Sequence, residues 1–222
     1  MMKPRHLEKF PCMMPRIGCH YPEPENERPE HKRLLVIGES HYLPTGSSLH
    51  LKPNDWYKQT EDSLNEMEKR WVSTEEIITI SLKKGFKDSG HGIYRNIALE
   101  LNNNGPGHKN PNQAIEHVAF CNFFLRPAIE GESLEVNHED IVVAQDVLLW
   151  IIDEYRPELL AVTSRLAGKH AKPILESCGI PSVVTPHPTC AWWNKRAKAE
   201  PYNNSRGRDL FTDFIISKQW YN

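Results

Sequence analysis

The run Leu34-Leu35-Val36-Ile37-Gly38-Glu39-Ser40-His41-Tyr42 decides the fold. Its first four residues are continuously aliphatic, which is typical of a strand buried on both faces of a parallel sheet. A second run, Ser182-Val183-Val184-Thr185, opens in the same way into Pro186-His187-Pro188-Thr189. In open α/β sheets the chemistry lies just beyond the carboxyl ends of such strands. Glu39 and His187, each placed at that position, are therefore the leading candidates for a functional site.

Strands that alternate with helices predict an α/β fold of three layers, α/β/α, around a short, mainly four-stranded parallel sheet. The predicted strands are 33–38, 117–121, 158–162 and 182–185. The apolar periodicity predicts helices over 61–71, 73–83, 93–101, 138–155, 165–177 and 205–218. Residues 1–32 are rich in proline and charge and are expected to form an arm, and residues 33–222 to form a single domain.

The composition is that of an ordinary soluble protein, with 222 residues, 39% hydrophobic residues and a net charge of -2. No stretch approaches the roughly 20 apolar residues of a membrane span. The first residues lack the apolar core of a signal peptide, so a cytoplasmic location without membrane contact is expected. Five scattered cysteines exclude a disulfide framework. Cys12 and Cys19 with His20 leave a metal or cluster open, but their spacing matches no standard pair.

Several common enzyme classes lack their signatures in this chain. It contains neither the Gly-x-Gly-x-x-Gly turn of dinucleotide-binding folds nor the Gly-x4-Gly-Lys-Ser/Thr loop of P-loop proteins. The nucleophile elbow of α/β hydrolases needs Gly-x-Ser-x-Gly, and Gly38-Glu39-Ser40-His41-Tyr42 lacks the second glycine. Dinucleotide chemistry, P-loop chemistry and a serine hydrolase are therefore not favoured.

Four short motifs, taken in order, resemble those of the uracil-DNA glycosylase superfamily. Gly38-Glu39-Ser40 resembles the Gly-Glu-Ala/Gly motif of its iron–sulfur branches, and Tyr42 falls where the best-known branch carries a tyrosine. The run from Cys121 through Asn122 to Arg126-Pro127 looks like the middle motif of the superfamily. Residues 154–162 resemble the helix-to-strand stretch that comes next in the superfamily. His187-Pro188-Thr189 is similar to the terminal His-Pro-Ser motif. The agreement in order and spacing extends from about residue 33 to residue 218.

The resemblance implies a uracil-DNA glycosylase-like fold and a DNA base-excision N-glycosylase, which needs no cofactor and no metal. The substrate would be DNA, single- or double-stranded, with uracil or another deaminated or damaged base flipped into a pocket. His187 would donate to the base carbonyl, and Glu39 would orient water or stabilise the sugar cation. Asn122 would read the base edge. The other substrate-binding residues implied are Gly38, Ser40, His41, Tyr42, Phe86, Pro188 and Thr189, with Phe86 stacking on the base.

The first motif departs from the superfamily pattern. Ser40 replaces the water-activating aspartate of the best-known branch, and His41 replaces the proline that follows. The four cluster cysteines of the iron–sulfur branches are not reproduced. A catalytically divergent protein that binds a nucleobase or nucleic acid is therefore the alternative function. A hydrolase of nucleotide-like small molecules is a third.

The segment after His187 carries the predicted contacts to nucleic acid. Trp192 or Trp193 could act as an apolar wedge between bases, although paired tryptophans also serve in ordinary packing. Lys195 and Arg196 belong to a basic stretch, 194–208, that suits phosphates or forms a solvated surface. Ordinary structural roles stay open for other candidates as well: Glu39 could cap a turn, Asn122 could satisfy a backbone bend, and His41 could lie on an exposed loop. The sequence gives no indication of oligomeric state.

Overall fold

The computed structural model describes residues 1–23, 30–88, 91–196, 198 and 204–221. Within these residues one five-stranded mixed sheet has the order β1-β3-β2-β4-β5. Strand β1 pairs antiparallel with β3, and the other neighbouring strands are parallel. The protein is therefore of the α/β class, and each predicted strand has a counterpart in the sheet. The strand bounds are β1 Arg16–Ile17, β2 Leu34–Leu43, β3 Ala119–Ile129, β4 Leu159–Val162 and β5 Ser182–Val184.

The helices are α1 Arg5–Lys9, α2 Pro53–Trp56, α3 Glu66–Val72, α4 Thr74–Lys83, α5 Gly92–Asn103, α6 His138–Tyr155, α7 Arg165–Ser177, α8 Ala191–Asn194 and α9 Gly207–Ser217. The predicted bounds of α6 and α7 are confirmed. The helix predicted over 61–71 is wrong, because a 3-10 turn at Glu61–Ser63 comes first and Asn65 then caps α3. Among the described residues, no helix has the length and apolar character needed to cross a membrane.

Both faces of the sheet are buried, and successive residues of β2 serve opposite faces. Leu35 and Ile37 belong to a core that also contains side chains from α6 and α7. Leu34 and Val36 belong to a second core with side chains from α5 and α9. This two-sided burial explains why the first four residues of β2 are continuously apolar. The arrangement is compatible with a three-layer α/β/α fold.

The parallel strands have a topological switch point between β2 and β4. From β2 the chain moves to β3 on one side, and it then crosses to β4 on the other side of β2. Ligands of open α/β sheets bind at the carboxyl ends of the strands that flank such a point. Strand β2 pairs with β4 only from Leu34 to Ile37, so its next residues lie at that edge.

Strand β2 runs five residues beyond its predicted end. It continues to pair with β3 as far as Leu43, with a register shift between Ser40 and Tyr42. Strand β3 likewise extends to Ile129, past Asn122. The first and middle motifs therefore lie within strands, not after them as predicted. The extra length comes from cross-strand pairing, which no local sequence signal encodes.

The first residues of the chain pack into the domain. Leu7 and Phe10 are fully buried, and the Phe10 ring stacks on Trp56 with a centroid separation of 4.7 Å. Farther along, His31 forms a β-bridge with Tyr221, and the N–H of Lys32 donates to the Trp220 carbonyl at 2.7 Å. The segment assigned to the arm thus contributes α1, β1 and part of the core.

A buried ion pair joins β3 to the start of α6. The Arg126 guanidinium donates to both carboxylate oxygens of Asp140 at 2.8 Å. The hydroxyl of Tyr57 donates to the same carboxylate at 2.7 Å. Asp140 is also the third residue of α6, and it completes the capping box with the N-cap residue Asn137. Arg126 of the middle motif therefore has a structural role here.

Candidate functional site

Glu39 reaches across the switch point to the residue that begins α7. Its half-buried side chain accepts a hydrogen bond from Ser164 Oγ, with an O···O distance of 2.5 Å. The same Oγ accepts the N–H of Ala167 at 3.2 Å as the N-cap of α7. The hydroxyl oxygen accepts this N–H, and the hydroxyl proton is donated to the Glu39 carboxylate. One buried serine thus fixes both a helix start and the position of Glu39.

His187 follows β5 on a backbone held by two buried prolines, Pro186 and Pro188. Its Nδ1 accepts the backbone N–H of Thr189 at 3.3 Å and lies 2.8 Å from Thr189 Oγ1. An Nδ1 that accepts an N–H carries no proton itself, so the neutral ring has its proton on Nε2. The ring therefore presents Nε2–H as a hydrogen-bond donor.

The electrostatics of His187 tie it to Glu39. Burial lowers the pKa of the imidazole below its usual value, and the negative charge of Glu39 opposes that shift. The two side chains are therefore near enough to interact, although 148 positions of sequence separate them. Tyr42 lies within the same field, because burial and then the charge of Glu39 raise the pKa of its phenol. A carboxylate and a neutral imidazole can act together here as a charge stabiliser and a hydrogen-bond donor.

Helix α5 is hydrogen-bonded to the segment that carries His187. Asn96 donates from Nδ2 to the carbonyl of Pro188 at 2.7 Å. This bond secures the residue directly after His187 to a helix that packs on one face of the sheet. The two residues predicted to bind substrate after His187 therefore differ. Thr189 is exposed and contacts the His187 ring, whereas Pro188 is buried and bonds to α5.

Gly38 and Asn122 lie side by side in the register of β2 and β3. A Cβ placed on Gly38 would lie 2.3 Å from Asn122 Oδ1, far inside van der Waals contact. Gly38 is therefore needed to leave room for the carboxamide. Asn122 is 8% exposed, and within the described part of the chain its carboxamide makes no hydrogen bond. The amide group is thus free for a ligand, and it does not serve a backbone bend.

Ser40 and His41 face the interior, which corrects their assignment to the binding surface. His41 is buried, and its Nε2 lies 3.1 Å from Thr74 Oγ1 at the start of α4. Burial lowers the pKa of this histidine to about 4, so it is neutral at physiological pH. Ser40 Oγ is buried without a partner among the described residues.

Two aromatic assignments are also corrected by burial. Phe86 is 1% exposed and packs beside Tyr94 with ring centroids 6.2 Å apart, so it offers no open face to a base. Trp193 is 1% exposed and packs against Phe211 of α9 with a centroid separation of 6.1 Å. The alternative of ordinary packing therefore holds for Trp193. Its neighbour Trp192 is 49% exposed and stays available as a wedge.

The predicted basic stretch, 194–208, contains both exposed and ion-paired residues. Lys195 and Arg196 are exposed, whereas Arg206 pairs with Asp209 through two contacts of 2.7 Å. Positions 197 and 199–203 of the predicted basic stretch lie outside the described residues. The accessible positive charge nearest to His187 in sequence is therefore that of Lys195 and Arg196.

The two cysteines considered for a metal lie in different surroundings. The backbone N–H of Cys12 donates to Glu61, and that of Cys19 donates to Glu116. Among the residues that the structure describes, no three His, Cys, Asp or Glu side chains converge as metal ligands would.

Sequence reasoning missed two residues that shape the site. Ser164 directly precedes a predicted helix, and a serine at that position is a recognisable N-cap signal. Asn96 lies within α5, and nothing in the sequence marks it for contact with the His187 segment. No model of a known protein family matches this chain, and no curated protein sequence matches it significantly.

Proposed function

We propose that this protein is a DNA base-excision N-glycosylase of the uracil-DNA glycosylase type. It would act on uracil or another deaminated or damaged base flipped into a pocket at the carboxyl ends of β2 and β5. The observation that carries the proposal is the Glu39 carboxylate, which Ser164 Oγ holds at 2.5 Å beside the switch point of the sheet and whose charge acts on the His187 imidazole. The three-layer fold of that superfamily is part of the proposal, and the order of motifs along the chain supports it.

Each site residue has a defined task in this reaction. The Nε2–H of His187 donates to a carbonyl of the base and stabilises the negative charge that develops as the glycosidic bond breaks. The carboxylate of Glu39, held by Ser164, stabilises the sugar cation or orients the attacking water. The free carboxamide of Asn122 reads the base edge with one donor group and one acceptor group.

The alternative is a protein that binds a nucleobase without cleaving it. The observation that favours it is the burial of Ser40, which leaves the position of the usual water-activating carboxylate without a side chain in the site. Under this alternative Asn122 and His187 would still recognise the base.

The decisive experiment is cleavage of labelled single- and double-stranded oligonucleotides that carry uracil, hypoxanthine, xanthine or a mismatch, followed by alkali to reveal abasic sites. A glycosylase cleaves one of these substrates, loses activity with His187→Ala, and loses turnover but not binding with Glu39→Gln. His138→Ala, a change at an exposed residue that begins α6, is the matched control and keeps activity. Folded protein that binds the oligonucleotide through Asn122 but cleaves none would favour the binding protein instead.

A further inference from the structure

A groove of about 420 Å³ runs between α7 and β5, the strand at the edge of the sheet. Three basic residues line it from α7: Arg165, Lys169 and Lys172. Ser182 and Val184 of β5 line the other side. The groove therefore has one cationic wall and one uncharged wall.

The basic residues share a helix face and form a continuous row. Their spacing of four and then three positions places them on the same side of α7. At a rise of 1.5 Å per residue the row extends about 10 Å along the helix, the axial length of about three nucleotides of one DNA strand. The row therefore has the length and charge to follow several successive phosphates.

The row begins at the proposed active site. Arg165 directly follows Ser164, the residue that holds the Glu39 carboxylate. Among the described residues that line the groove, Glu176 is the one acid, and it lies at the far end. There it pairs with Lys172 across 3.6 Å, with both side chains exposed. The acid of the groove therefore lies at the end of the row that is farthest from Ser164.

We propose that this groove binds the phosphodiester backbone of the DNA strand that carries the target base, as that strand leaves the site along α7. The inference rests on the proposed function, because DNA is the partner that places a polyanion beside Glu39 and His187. A free base or nucleoside would extend no backbone along α7, so the groove also favours a polymeric substrate.

The test is equilibrium binding of the full chain to a fluorescein-labelled oligonucleotide, measured by anisotropy at several salt concentrations. Lys169→Gln should lower affinity and reduce the slope of log K against log salt by about 1, the contribution of one phosphate contact. Glu176→Gln should raise affinity about two- to fivefold, since it frees an exposed ion-paired lysine. A gain of affinity cannot result from misfolding.

The controls lie at the amino ends of the strands. Lys218→Gln and Glu154→Gln change exposed residues near the starts of β2 and β4 and should leave affinity and slope unchanged. Equal effects of groove and control variants, or no DNA binding at all, would overturn the proposal. This experiment measures binding and not cleavage. If the groove binds DNA but the protein excises no base, the proposed glycosylase activity is wrong and the proposed DNA-binding groove stands.

Discussion

Ser164 Oγ lies 2.5 Å from Glu39 Oε2, so the N-cap of one helix also positions the carboxylate at the centre of the site. Replacing Ser164 by alanine removes a hydrogen bond to a charged group. Such bonds contribute about 1.5–3 kcal/mol, which corresponds to about a 10- to 100-fold loss of turnover if Glu39 acts in the transition state. We expect Ser164→Ala to lower kcat by this factor with little change in KM, measured on the oligonucleotide that the protein cleaves.

A second N-cap serine separates this effect from the loss of helix capping. Ser73 accepts the N–H of Glu76 at 3.2 Å, as Ser164 accepts that of Ala167, but it begins α4. Both alanine variants should lose about 1 kcal/mol of stability from the lost cap, and Ser164→Ala also loses the bond to Glu39. Only Ser164→Ala should lose turnover, and a matching loss in Ser73→Ala would show that Ser164 acts through stability alone.

Gly38→Ala should displace Asn122 from its place on β3. The added methyl group would lie 2.3 Å from Asn122 Oδ1, and overpacking of this kind costs about 1–3 kcal/mol. Urea unfolding should show that the double variant Gly38→Ala/Asn122→Ala regains much of this stability, because the second change makes room for the methyl group. Binding of base-containing oligonucleotides should stay lost in both variants. Additive stability losses would mean that the two residues do not compete for the same space.

Asp140→Asn should be among the most destabilising single changes in the protein. It leaves the buried Arg126 guanidinium without its counter-charge, and breaking such a pair costs about 3–5 kcal/mol. Chemical denaturation gives the free energy of unfolding directly. Asp146→Asn, a change on the exposed side of the same helix, should cost little. Comparable stabilities of the two variants would contradict a central role for the ion pair.

Stability should fall with acidification from about pH 6.5 to pH 4. Burial lowers the pKa of His41 to about 4 in the folded state, against 6.5 as its usual value. The unfolded chain therefore takes up the proton first, so stability is greatest above pH 6.5 and is lost as the pH approaches 4. The loss from this one residue is on the order of 3 kcal/mol.

The variant His41→Asn isolates this contribution, because asparagine is polar but does not titrate in this range. Thermal unfolding across this pH range should give a shallower decline for His41→Asn than for the parent protein. His6 and His117, whose pKa values burial also lowers to about 4, keep part of the decline in the variant. An unchanged pH dependence in His41→Asn would exclude His41 as a source.

The helices and strand positions that the sequence predicts well are those with local signals. Asn137 and Asp140 form a capping box, and an apolar stripe follows it, so α6 is predicted to the residue. The aliphatic start of β2 is equally clear, because burial on both faces leaves no polar position. These features depend on residues close together in the chain.

The misplaced residues depend on contacts that are distant in sequence. Phe86 and Trp193 are aromatic residues near the predicted site, and only their packing beside α5 and α9 removes them from solvent. The inward turn of His41 likewise depends on pairing of β2 with β3 and on contact with Thr74. The sequence identifies candidate residues near the ends of strands, but it does not show which of their side chains are buried.

The strand order has a consequence for synthesis of the chain on the ribosome. Strand β2 is central in the sheet, yet it is made before both of its neighbours, β3 and β4. Its aliphatic run therefore emerges without a partner and waits while α2 to α5 are made. The contact of His31 with Tyr221 forms only after residue 221 has been added. Until β3 and β4 have been made, the nascent chain exposes this short hydrophobic run, which is of the kind that chaperones bind.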